Sequence, residues 1–107
     1  MAAATRIRVP ATARRGEVIE LRAIIMHPME NGFRMETNGE YVPVHIIHTF
    51  VCRYNGVEVF RARLEPGIAA NPYLAFTTVA TESGTIEFAW LDDDGTFEVA
   101  AAAIQVT

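Results

Sequence analysis

Three groups of residues in this 107-residue chain carry side chains suited to chemistry. The first is His48 with Cys52, an imidazole and the single thiol of the sequence. Such a pair is the usual make-up of a cysteine nucleophile and its base, and both residues are zinc ligands. However, His45–Leu64 reads as strand, and four residues along a strand span about 13 Å. A nucleophile and its base need about 3 Å, and zinc ligands lie about 2 Å from the metal. His48 and Cys52 therefore do not meet, and His45 points to the opposite face. Cys52 reads as a small buried thiol and His48 as a satisfied imidazole.

The second group is Met26, His27, Met29 and Met35. Thioethers and imidazole are soft donors that suit Cu(I). A Met-His-Pro-Met run at a strand end, with a further methionine in the next connection, gives an alternative reading as a Cu(I)-binding module. The competing explanation is that these methionines pack a loop onto the core or a partner. The third group is the acidic turn Asp92-Asp93-Asp94-Gly95. Calcium takes six or more oxygens from a defined loop, and this run lacks the spacing and the distal Glu of an EF-hand. It reads as a solvated hairpin turn, in which Asp bonds its own backbone and Gly supplies positive φ. There is no phosphate-cradling glycine loop, nucleophile elbow or paired-carboxylate site. No catalytic residue, cofactor or resident metal is expected, and the chain is not read as an enzyme.

The elements that must position these groups are strands. His45–Leu64 is a hairpin closed at Asn55-Gly56, the pair that best tolerates the positive φ of a type I′ turn. The two-residue turn sets Tyr54 opposite Val57, Arg53 opposite Glu58, Cys52 opposite Val59 and Val51 opposite Phe60. Arg53 and Glu58 then form a cross-strand ion pair. One face carries Tyr54, Val57, Cys52 and Val59; the other carries Val51, Phe60, Ile47 and Leu64. A sheet with one wet face does not look like this. Either a bulge swaps the faces, or something covers the second one.

Around the hairpin, Arg6–Val9 is a short strand ended by Pro10. Glu17–Met26 alternates Ile19, Leu21, Ala23 and Ile25 toward the core, and His27-Pro28 ends it. Residues 29–43 form a long connection with two more Asn-Gly pairs, and Phe33, Met35 and Tyr41 make it unusually apolar. Tyr73–Thr81 and Thr85–Leu91 are strands, the second with Ile86, Phe88 and Trp90 on one face. Thr96–Val106 is the last strand. About seven antiparallel strands with regular turn signals and no convincing helix give an all-β, immunoglobulin-like β-sandwich.

Size and composition point to one domain over residues 1–107. Half the residues are hydrophobic, which argues against disorder. A net charge of −4 argues against nucleic acid and anionic membranes as partners. All nine basic residues are Arg, for which we have no physical account. No stretch approaches the ~18 apolar residues of a membrane span. Arg14-Arg15 is followed by Glu17, Glu20 and Arg22 rather than an apolar run, so this stretch is not read as a twin-arginine signal and no export signal is expected.

The order of several motifs resembles the SoxZ family. These are Gly16-Glu17, Met26-His27-Pro28-Met29-Glu30, Ile46-Ile47, Phe50-Val51-Cys52 with Asn55-Gly56, Ala70-Asn71-Pro72-Tyr73, and Trp90 to Gly95. The likeness runs from about Arg6 to Val106. It implies an immunoglobulin-like, non-catalytic subunit that forms a heterodimer with SoxY. In that complex SoxY carries sulfur intermediates on a cysteine at the end of a glycine-rich arm. The complex presents them, through transient contacts, to the other Sox enzymes of thiosulfate oxidation. The resemblance also implies a periplasmic location, reached together with the exported partner. The doubly apolar hairpin suits such a role: Val51, Phe60 and Leu64, with Phe33 and Met35, are the expected partner interface. The competing expectation is that they fill the core after a bulge. A homodimer in isolation is the corollary of an uncovered face.

Overall fold

The computed structural model describes residues 4–95 and 97–107. Its elements are β1 (Thr5–Arg8), β2 (Thr12–Ala13), β3 (Val18–Ile25), β4 (Ile47–Tyr54), β5 (Val57–Arg63), β6 (Tyr73–Val79), β7 (Gly84–Asp92) and β8 (Phe97–Val106). Among the described residues there is no helix. Thr96, read as the start of the last strand, and Met1–Ala3 of the N-terminal segment lie outside them. A three-stranded antiparallel sheet runs β1-β3-β6, and a five-stranded sheet runs β2-β8-β7-β4-β5. The two pack as an immunoglobulin-like sandwich. The strand that the sequence did not announce is β2, two residues that pair parallel with β8. Ala13 is its buried member.

Alternation explains β3 directly. Ile19, Leu21, Ala23 and Ile25 are at most 2 % exposed, whereas Val18, Glu20 and Arg22 face solvent. Ile86, Phe88 and Trp90 of β7 are buried in the same way. Phe50 sits at the centre, with ring centroids 5.3 Å from Trp90, 5.8 Å from Phe76 and 6.2 Å from Phe60. Phe60 on β5 and Phe76 on β6 stack at 4.2 Å with planes 8° apart. These are edge strands of opposite sheets, so the stack closes one side of the sandwich.

The hairpin settles the question of its two faces. Asn55 and Gly56 have φ of 49° and 81°, as the I′ turn requires. Tyr54 pairs with Val57 and Arg53 with Glu58, as expected. Beyond them the ladder slips: Cys52 pairs with Phe60 and Val51 with Arg61. Val59 is the extra residue of a β-bulge, so the expected pairings of Cys52 with Val59 and of Val51 with Phe60 are displaced by one. Because side chains alternate with period two, one extra residue sends everything beyond it to the other face. Phe60, Ala62 and Leu64 therefore join Phe50, Cys52 and Tyr54 on the core side. A second irregularity, between Ile47 and Thr49 where β4 meets β7, turns Ile47 into the core too.

The shared face expected for Val51, Phe60, Ile47 and Leu64 does not form, because burying the last three in one core outweighs a regular ladder. Nor does the Arg53–Glu58 ion pair form. Glu58 takes Arg61 at 2.7 Å, while Arg53 reaches toward Glu87 at 4.0 Å. All four side chains are exposed enough that these pairs contribute little.

Residues 29–43 are more ordered than a plain loop. Glu30 bridges His45 and Met35 bridges Tyr41. The N–H of Glu36 donates to the Glu40 carbonyl at 2.8 Å and that of Val42 to Arg34 at 2.7 Å. Asn38-Gly39 forms the tip, with Gly39 at φ 86°.

Candidate functional site

Two surfaces stand out once the strands are placed. The first is the outer face of the five-stranded sheet. Val99 of β8, Ala89 of β7 and Val51 of β4 pair in one row across it. Phe97, Leu91 and Thr49 form the next row, and Ala101 lies beside Glu87 on the other side. Val51 and Ala89 are only 6 % and 4 % exposed, yet neither belongs to the core cluster. Phe97 and Val99 are exposed. This half of the face is apolar, and Arg53, Glu58, Glu87 and Arg61 border it on the β5 side. Of the expected interface residues, Val51 is therefore on this face. Phe60 and Leu64 are not: the bulge places them inside. Phe33 and Met35 are exposed on the connection before β4, Phe33 at 81 %.

The second is a polar cluster at one end of the sandwich. His27 follows the last residues of β3, His45 precedes β4, and Asp92 ends β7. Asn71 locks the His27 backbone: His27 N–H donates to Asn71 Oδ1 at 2.9 Å and Asn71 N–H to the His27 carbonyl at 2.7 Å. His27 Nδ1 accepts the Met29 N–H at 2.9 Å. Its Nε2 is buried, without a hydrogen-bond partner among the described residues, and faces Asp92 Oδ2 at 3.6 Å. His45 Nε2 lies 3.2 Å from Asp92 Oδ2 and 3.4 Å from Asp94 Oδ2. The two imidazole centroids are 4.9 Å apart, edge to face. Burial, and then the neighbouring His45, hold the His27 pKa below its usual value despite Asp92.

The acidic turn itself needs correcting. Asp93 is tied to Ile46, accepting its N–H at 3.1 Å and donating to its carbonyl at 3.0 Å. Asp94 N–H donates to Asp92 Oδ1 at 3.2 Å. Asp92 is not solvated; it is 7 % exposed. The residue pattern contained the signal: Ile86, Phe88 and Trp90 alternate inward, and Asp92 is the next position of that parity. The meeting of His27 and His45 was not visible, because the pairing of Glu30 with His45 folds the two together from 18 positions apart.

The methionines divide. Met29 is in the core, and its thioether accepts the Ile47 N–H at 3.3 Å. Met26 and Met35 are each about half exposed. His48 bonds Thr49 Oγ1 at 2.7 Å. Cys52 is fully buried on β4, and burial pushes its thiol up to about 12, the opposite of an activated thiolate.

Comparison with known proteins places this geometry. No curated protein is similar enough to match. Among solved structures, a superoxide reductase (neelaredoxin) from Ignicoccus hospitalis is 21 % identical with a TM-score of 0.72. The likeness covers 96 % of this chain and 80 % of that one. The sulfur carrier protein SoxY from Chlorobium limicola f thiosulfatophilum is 11 % identical with a TM-score of 0.67, covering 96 % of this chain and 78 % of that one. At such identities the likeness is one of fold. The family model for the sulphur oxidation protein SoxZ matches residues 7–103, nearly the whole chain. The chain belongs to the SoxZ family.

Proposed function

We propose that this chain is the non-catalytic scaffold subunit of a sulfur carrier. It pairs with a SoxY-type protein and holds it while cysteine-bound sulfur intermediates pass to the enzymes of thiosulfate oxidation. The observation that carries the reading is the apolar outer face around Val51 in a member of the SoxZ family. A standard interface buries about 800 Å² per partner, and a contiguous apolar face on a small protein is a usual mark of one. Val51 and Ala89 form the centre, Phe97, Leu91 and Val99 the anchors, and Phe33 and Met35 a flank. Phe60 and Leu64 contribute from inside, by fixing the sheet that bears the face. The same reading puts the complex in the periplasm, exported with the partner, and gives the other Sox enzymes only transient contact.

The test is co-purification of the untagged chain with a tagged SoxY-type partner. An equimolar complex is expected. Val99→Asp and Phe97→Asp place an unpaired charge in the contact and weaken it by roughly 100-fold or more. Both positions are exposed, so thermal melts of the variants stay close to that of the parent. Absence of a complex between folded proteins refutes the partner. A complex indifferent to both substitutions refutes the face.

A further inference from the structure

We propose that His27 Nε2, His45 Nε2 and Asp92 Oδ2, with Asp94 Oδ2 as the fourth ligand, bind a divalent transition-metal ion, Zn(II) by preference. The ligand atoms of the first three lie within 4.8 Å of one another. A tetrahedral zinc site with bonds of about 2.0–2.1 Å has ligand–ligand edges of about 3.3 Å. The separations here are 3.6 Å for His27–Asp92, 3.2 Å for His45–Asp92 and 3.4 Å for His45–Asp94. Closure onto an ion keeps these three pairs near their present spacing and draws the more widely spaced ligand atoms, up to 4.8 Å apart, inward by about 1.5 Å at most. Two neutral imidazoles and two carboxylates balance the charge of the ion. The donor set is nitrogen and oxygen, which suits Zn(II) and its spectroscopic substitute Co(II) better than Cu(I).

Two further features point to a ligand. His27 is 6 % exposed, and its Nε2 is aimed into the cluster, 3.6 Å from Asp92 Oδ2 and without a closer hydrogen-bond partner among the described residues. Asp92 Oδ1 is occupied by the Asp94 N–H, which turns Oδ2 toward both imidazoles. Orientation by an outer hydrogen bond is the usual support of a metal ligand.

The site also has a built-in requirement. With Nδ1 accepting the Met29 N–H, the neutral His27 ring carries its proton on Nε2. Coordination through Nε2 moves that proton to Nδ1, which then needs an acceptor. Turning over the Pro28–Met29 peptide supplies one, because it presents the Pro28 carbonyl where the Met29 N–H stood. Met29 is at φ 52°, a left-handed conformation unusual for a side chain of its kind. The turnover takes it back to negative φ, as in the change from a type II to a type I turn. Metal binding and this peptide rotation are one event. Because His27 follows β3 and the other ligands sit beside β4 and β7, the ion staples the two sheets together.

The experiment uses the untagged, chelator-treated full chain. Titration with Co(II) is expected to give saturable one-to-one binding, with the visible absorption of a tetrahedral site that Zn(II) abolishes. His45→Ala weakens binding by more than ~100-fold, beyond the 10- to 100-fold typical of losing an outer-shell partner. His45 and Asp94 are part-exposed, so His45→Ala and Asp94→Asn leave the core intact. The His27 ring nitrogens, followed by ¹⁵N NMR, pass from the Nε2-protonated to the Nδ1-protonated tautomer on Zn(II) saturation. Absence of saturable binding overturns the proposal. So does binding that His45→Ala leaves unchanged, or a His27 Nε2 that keeps its proton at saturation.

Discussion

Cys52 offers a quantitative test of the core. It is fully buried in the middle of β4, and its thiol is pushed from 9.0 to about 12. In the unfolded chain the thiol ionises near its ordinary value, about 8.5–9. Above that pH the unfolded state sheds a proton that the folded state keeps, so stability falls as pH rises, and goes on falling until the folded thiol ionises. The slope is about 1.4 kcal/mol per pH unit. From pH 9 to about pH 10.5 this comes to about 2 kcal/mol. Cys52→Ala removes the effect and leaves a small cavity, at a cost of about 1–2 kcal/mol. The variant is thus the less stable protein at neutral pH, and by about pH 10.5 the two stabilities meet or cross. Urea unfolding under reductant, read as the difference between the two proteins, cancels the other titrations. A difference that stays constant with pH refutes the reasoning, and with it the burial that makes Cys52 unfit as a nucleophile. In the native chain, alkylation near pH 8 is expected to be far slower than for a free thiol.

Other substitutions probe how the fold is tied. Tyr54 OH accepts the N–H groups of Thr81 and Glu82 at 3.3 and 3.2 Å and donates to the Glu82 carbonyl. Tyr54→Phe leaves those backbone groups short of a partner and costs about 1–3 kcal/mol in denaturant unfolding. Gly84→Ala drives a methyl into the side-chain amide of Asn55. It must expel the side chain that accepts the Thr85 N–H at 2.9 Å, with a loss of at least ~1 kcal/mol. Phe76→Ala removes the ring stacked on Phe60 and costs about 3–5 kcal/mol. Deleting Val59 leaves Arg53–Glu58 and Cys52–Phe60 as successive pairs of a regular ladder. The deletion protein keeps its fold within about 1 kcal/mol, and a collapse on thermal melting contradicts the bulge assignment.

The sequence was legible where periodicity was clean. β3 and β7 follow from alternation, and the Asn55-Gly56 turn from the φ it demands. Across the hairpin the reading reached the right dilemma without its answer. Whether Val59 bulges depends on Phe76, which lies in the other sheet and gives Phe60 a ring to stack on. No local pattern carries that information. The same holds for β2, whose two residues become a strand only because β8 offers an edge. For the candidate sites, the hairpin alone singles out Val51 as an expected interface residue, but its neighbours Ala89, Phe97 and Val99 come from pairing across β7 and β8. Along the chain His27 neighbours the methionines and His45 neighbours His48, whereas the fold sets the two imidazoles 4.9 Å apart. Proximity along the chain suggested those partners, whereas the strand ends of a sandwich bring distant residues together.

The alanine run of β8 divides the mutational latitude of this strand by parity. Ala100 and Ala102 oppose Phe88 and Ile86 on the inner side, small against large. A bulkier residue there overfills the core and costs about 1–3 kcal/mol. Ala101 and Ala103 point outward and are exposed, so larger side chains at these positions leave the core untouched in the isolated chain. They leave a level floor with almost no relief beside Val99 and Ala89. Any protein that docks on this floor has to supply the shape itself, with its own side chains approaching close to the backbone. A substitution library over β8 would therefore report inner positions through folding alone. At the outer positions it would report through binding, with changes that are silent in the free chain becoming costly once the floor is occupied.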